Sequence, residues 1–167
     1  KRLYAWIRSC VPDGATSADL STFKSEKFRD EISDYFDKAF LLTYYLWTDY
    51  FLAVDQRAKN MMLRTWDGLI WYITYYDGDT QMGKRNDCFL VYDYTTDRDT
   101  YDAEAGKYAF EGRDSWLWNL VLANLDADLK TQAQALRGVL TTSRVLDMLN
   151  VEQAGNWCDR AYNKSGE

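Results

Sequence analysis

Histidine is absent from all 167 residues, which removes the imidazole ligand of a zinc site and the general base of a Ser-His-Asp or Cys-His arrangement. Cysteine is scarce: Cys10, Cys88 and Cys158 are far apart, odd in number and without a CxxC spacing. They read as reduced packing thiols. A single proline and nine glycines argue against a disordered linker. Gly78, Gly83, Gly106 and Gly112 are too dispersed to form a phosphate-cradling loop. Positive charge is in deficit, 20 Lys and Arg against 26 Asp and Glu for a net charge of -6. No basic stripe is available to track phosphates, nucleic-acid binding is disfavoured, and the acidity reads as solubility. The longest apolar tract, Ala39 to Val54, is interrupted by Thr43, Thr48 and Asp49, short of the ~20 apolar residues that span a bilayer. No membrane partner is expected.

Aromatic residues, by contrast, are abundant: seven Trp, thirteen Tyr and seven Phe. A chain of this length and composition reads as one domain with a real core. It begins at Lys1, and its first apolar run, Leu3 to Ile7, is too short for a signal peptide. The expectation is therefore a single domain, 1–167, cut from a longer polypeptide. Residues 1–18 read as the end of a preceding element turning at Val11-Pro12-Asp13-Gly14, 19–112 as the half bearing the motif, and 113–167 as a helical half.

From Asp19 onward Leu20, Phe23, Phe28, Ile32 and Phe36 recur at roughly helical spacing and predict one amphipathic helix. A second, from about Ala39 to Phe51, is apolar nearly all round and is expected in the core. Met61 to Trp66 and Leu69 to Tyr76 predict a hairpin closed by a two-residue Asp67-Gly68 turn. Residues 84–112 read as a long ordered loop with a short strand candidate at Cys88 to Tyr92. Ser115 or Asp114 is placed to cap a helix that turns Trp116, Leu117, Leu120 and Val121 inward. Further helices are predicted at about Asp126 to Arg137, Thr142 to Gln153 and Asn156 to Tyr162. The fold class is α+β, mostly helical.

The stretch from Phe51 to Gly83 carries the candidate chemistry. Asp55 and Asn60 lie five residues apart, the hairpin follows, and Asp77 and Asp79 come at its exit. A hairpin returns its ends to one place, and carboxylates with an amide oxygen suit a hard cation such as Mg²⁺. An acid, an amide five residues on and a further acid after a hairpin is also the layout protein kinases use for base and metal ligands. A blander reading stands beside it: Asp55 caps a turn, Asn60 takes a left-handed backbone, and Asp77-Gly78-Asp79 is an acidic turn. Glycoside hydrolysis by paired acids is weaker, because Asp77 and Asp79 alternate faces if extended. The Trp and Tyr clusters read first as core packing and second as walls of a sugar or nucleotide pocket. Arg57 and Lys59 fit either a phosphate contact or a solvated edge.

VDQRAKN followed by WYITYYDGDTQMG resembles the core of the CotH-type, spore-coat kinase-like proteins. Asp55 matches that family's catalytic acid, Asn60 its metal-binding amide, and Asp77 with Asp79 its metal-binding acids. The chain departs from the pattern in having Ala58 and Lys59 where a His is usual, Tyr76 in place of the Trp before Asp77, and Met82 before Gly83. It is similar over more of its length to the version of this module carried by tailed-bacteriophage proteins, through AVDQRAKNMMLRTWDG, YYDGDTQMGKRND, GRDSWLWNLV and WCDRAYNKSGE. The resemblance implies a kinase C-lobe-like fold with a small hairpin, and two functions. The first is a structural, tail-associated component of a phage virion, without catalysis in this segment and without a cofactor, packed against other virion proteins or the rest of its own chain. The second is an atypical protein kinase using Mg and ATP.

Overall fold

A computed structural model describes residues 1–51, 53, 56–57, 60–78 and 115–154. It is mixed α+β: seven α-helices and one two-stranded antiparallel hairpin among the described residues. The chain groups into two units, Lys1–Lys130 and Thr131–Glu167, and the candidate site belongs to the first.

In the first unit, helix α1 (Arg2–Ser9) buries Leu3 and Trp6, one turn apart on a single face, and Cys10 continues that face. Trp6 is the centre of the aromatic packing here. Its ring stacks on Tyr35 at 4.2 Å and on Phe28 at 5.4 Å, and its indole N–H donates to the Glu31 carboxylate at 3.0 Å. Burial of Cys10 pushes its thiol up to about 11, as expected of a packing cysteine.

The single helix predicted from Asp19 to Phe36 is broken. Two short helices, α2 (Ser17–Leu20) and α3 (Glu26–Glu31), flank an extended break, and a 3-10 turn (Ile32–Asp34) follows. Ser25 is the cause. Its hydroxyl accepts from the Phe28 amide as an N-cap and donates to the Cys10 carbonyl at 2.7 Å, a pair of bonds that a mid-helix serine cannot make. The apolar stripe survives the break, since Leu20, Phe28, Ile32 and Phe36 are all buried.

Asp37 caps the next helix, α4 (Lys38–Tyr50), by accepting from the Phe40 amide. This helix is apolar nearly all round, but only Leu41, Leu42, Tyr44, Leu46 and Thr48 are buried, while Phe40 and Tyr50 are exposed. Its other side meets the hairpin, where Phe40 contacts Tyr72 edge-on and Trp47 contacts Tyr75 at 4.4 Å.

The hairpin pairs β1 (Met61–Thr65) with β2 (Trp71–Tyr75), from Met61 opposite Tyr75 to Thr65 opposite Trp71. Its loop is therefore residues 66–70, not the two-residue turn predicted at Asp67-Gly68. The Asp67 carboxylate decides this by accepting from the amides of Leu69 and Ile70 and from the Thr65 hydroxyl, an Asx-type arrangement that wraps the chain around the side chain. Gly68 supplies the positive φ of 75° that the wrap requires. Arg2 then ties the loop to α1, donating to the carbonyls of Gly68 and Leu69. On the far side of β2 the Trp71 amide donates to the Tyr35 carbonyl at 2.7 Å.

Ser115 caps α5 (Trp116–Asn124), accepting from the Trp118 amide. Six of its nine residues are buried, Leu117, Trp118, Asn119, Leu120, Val121 and Ala123, so it forms the middle of the core. Helix α6 (Asp126–Val139) starts where predicted, and within the first unit its Asp128 pairs with Lys38 at 2.8 Å. In the second unit, α7 (Thr142–Ala154) follows a cap in which the Thr141 hydroxyl accepts from the Arg144 amide. Among the described residues no helix is long and apolar enough to cross a membrane. The strand candidate at Cys88 to Tyr92, the loop 84–112 and the helix expected at 156–162 lie outside the described residues.

Candidate functional site

Phe51 closes α4 by donating to the Trp47 carbonyl, and the Ala53 amide returns to the Thr48 carbonyl at 2.9 Å. Gln56, Arg57 and Asn60 are consequently buried, at 0%, 8% and 6% exposure. Buried polar side chains need partners, and each has one. Gln56 Nε2 donates to the carbonyls of Tyr76 and Asp77 at 2.8 and 2.9 Å, and Asn60 Nδ2 donates to the Asp77 carbonyl at 3.3 Å. The Tyr44 hydroxyl, on α4, donates to the Gln56 backbone carbonyl at 2.7 Å.

Arg57 points the other way, into the core. Its Nε donates to Thr48 Oγ1 at 3.0 Å, its Nη2 pairs with Asp49 at 2.8 Å, and its guanidinium lies 4.4 Å from the centre of the Tyr45 ring. Its backbone carbonyl accepts from the Trp118 indole at 2.9 Å. The solvated-edge reading of Arg57 does not hold: it is a buried packing cation. Lys59 lies outside the described residues.

Of the four residues expected to converge, the structure brings two together. Asn60 and Asp77 meet through the amide-to-carbonyl bond at 3.3 Å, because the hairpin between them returns the chain to its starting point. Asp55 and Asp79 lie outside the described residues. The left-handed backbone considered for Asn60 belongs instead to Asp77, whose φ of 53° is the one positive value at a non-glycine residue among those described. Among the described residues no three His, Cys, Asp or Glu side chains come together in a metal-holding group.

Sequence reasoning missed Gln56. Its signal was present in outline, since a carboxamide directly after the candidate acid must go somewhere when a buried helix precedes it. The aromatic clusters differ in their surroundings. Trp118 packs in the core, parallel to Tyr44 at 6.1 Å and against Tyr45 at 5.6 Å. Trp47 and Tyr75 wall an open groove of about 360 Å³ between α4 and β2, with Phe40, Thr43, Arg64 and Ile73. Desolvation there pushes the Tyr75 phenol up to about 12. No family model, curated protein or solved structure matches the chain.

Proposed function

We propose that this segment is a structural, tail-associated component of a tailed-bacteriophage virion, built on a CotH kinase-like module and without catalytic activity of its own. The observation that carries the reading is the use made of the polar side chains in the motif loop. Gln56, Arg57 and Asn60 all donate within the chain, and bonds of that kind hold a block together. Its partners are other virion proteins or the remainder of its own chain. The test is the composition of purified particles: mass spectrometry should find the polypeptide in particles, and its confinement to the infected-cell cytosol would exclude the role.

One observation favours the second reading, an atypical kinase of the CotH type. Asn60 and Asp77, which that reading makes metal ligands with Asp79 and places beside the catalytic Asp55, are neighbours. For the full-length protein the two readings differ in one measurement. A working site binds Mg²⁺ with ATP and raises the melting temperature by linkage, by about 2.7 kcal/mol of stability at a hundredfold excess over Kd, and Asp77→Asn abolishes the shift. The structural reading expects no shift in either protein.

A further inference from the structure

A left-handed backbone is disfavoured for any residue with a Cβ and persists where surrounding contacts over-determine it. Asp77, at φ 53°, is such a case, and the contacts are visible. Its own carbonyl and that of Tyr76 are consecutive, and both accept from one nitrogen, Gln56 Nε2, at 2.9 and 2.8 Å. Two successive carbonyls converge on a single donor only if the peptide between them is turned, and the turn falls at Asp77. Asn60 adds a weaker bond at 3.3 Å to the same Asp77 oxygen.

The donor itself is immobilised. Gln56 has no exposed surface, and Tyr44 grips it from behind, with its hydroxyl 2.7 Å from the Gln56 carbonyl and 3.4 Å from Oε1. The Tyr44 ring lies parallel to Trp118 on α5, so the grip rests on the core. Burial raises the Tyr44 phenol well above its ordinary range, keeping it a donor. We infer that Gln56, backed by Tyr44, is a conformational clamp that holds Asp77 left-handed and so fixes the direction in which the hairpin exit and the Asp77 side chain leave the fold. The inference goes beyond both functional readings, since it concerns how Asp77 is aimed and not what it binds.

Gln56→Met keeps the length of the side chain and removes the donor. Gln56→Glu keeps the shape and makes the donor conditional on pH: at so buried a position the carboxyl's pKa is raised, protonated it donates one bond in place of two, and ionised it only accepts. The readout is the backbone coupling constant and Cα shift of residue 77 by NMR on the full 167-residue chain, at pH 5 and pH 8. The unmodified protein is expected to show the left-handed signature at both pH values, Gln56→Met at neither, and Gln56→Glu at pH 5 alone. A packing role would produce no such switch. Should Gln56→Met fail to fold, Gln56→Glu and Tyr44→Phe, which removes one hydroxyl and keeps the ring, still decide the matter. Tyr44→Phe is expected to shift residue 77 part of the way. A left-handed signature unchanged in Tyr44→Phe and in Gln56→Glu at both pH values overturns the clamp.

Discussion

Arg57 shows at the scale of one residue why a charged side chain resists reading from its neighbours in sequence. Its side chain is 10% exposed and that of its partner Asp49 is 54% exposed, so the ion pair is screened on one side and contributes little by itself. Its hold comes from the Thr48 bond, the Tyr45 ring and the packed stem. Arg57→Ala is therefore expected to cost about 2–4 kcal/mol through the cavity it leaves and the loss of the Thr48 and Tyr45 contacts, whereas Asp49→Asn should cost under about 1 kcal/mol. Urea denaturation of the two variants checks the order, and equal losses would refute it. Those partners lie a loop away on α4, where no local pattern points to them. Asp67 is the opposite case, legible as a turn residue from its type. The amides of Leu69 and Ile70 hold its carboxyl below the ordinary 3.8. A depressed folded value means that its contribution is complete above 3.8 and fades as pH falls through the lower folded value. Protection of the Leu69 and Ile70 amides, taken relative to the intrinsic exchange rate at each pH, should fall at neutral pH in Asp67→Ala and in the unmodified protein only in that acid window.

At the scale of elements, caps and breaks were read unequally. Ser115 and the start of α6 at Asp126 were visible from cap and periodicity, and both strands of the hairpin fall within two residues of their predicted ends. The helix predicted from Asp19 to Phe36 was not one helix, although its stripe is buried at every position but Phe23, which is half-buried. Periodicity reports which side chains go inside, and Ser25 reports where the backbone breaks, a fact that depends on the distant Cys10 carbonyl. Ser25→Ala loses the cap and that bond together and should destabilise the first unit by about 1–3 kcal/mol. Thermal melts compared with Ser33→Ala, an exposed serine of the 3-10 turn, measure it. A loss no greater than that of Ser33→Ala would show that the break is not held by Ser25. The two-residue turn failed for a related reason: Asp-Gly is a strong hairpin signal, but here the carboxylate bonds three groups and needs five residues to do so.

Across the whole molecule, the α+β class and the helical majority were legible in the pattern of apolar residues, and the meeting of Asn60 with Asp77 followed from the hairpin. Long-range ties between the first thirty residues and α5 were not, because amides and lysines carry them. Asn124 accepts from the Ser25 amide and donates to the carbonyls of Phe23 and Leu120. Asn119 donates to the Ser17 carbonyl at 2.9 Å, and Lys24 donates to the Ala123 carbonyl. Asn124→Leu leaves partly buried backbone groups without partners and should cost about 2–4 kcal/mol. Chemical denaturation checks the loss, and one below about 0.5 kcal/mol would show the junction to be incidental.

The same ties set an order of events during synthesis. Ser17, Phe23 and Ser25 find their partners 99 to 102 residues later in the chain. At about 5–20 residues per second, the first two short helices wait about 5–20 s after emerging from the ribosome before α5 arrives to complete them. Throughout that interval Leu20 and Phe28, which end with no exposed surface, lack their final cover. An arrest of translation anywhere between the hairpin and Asn124 is expected to leave these two residues without that cover.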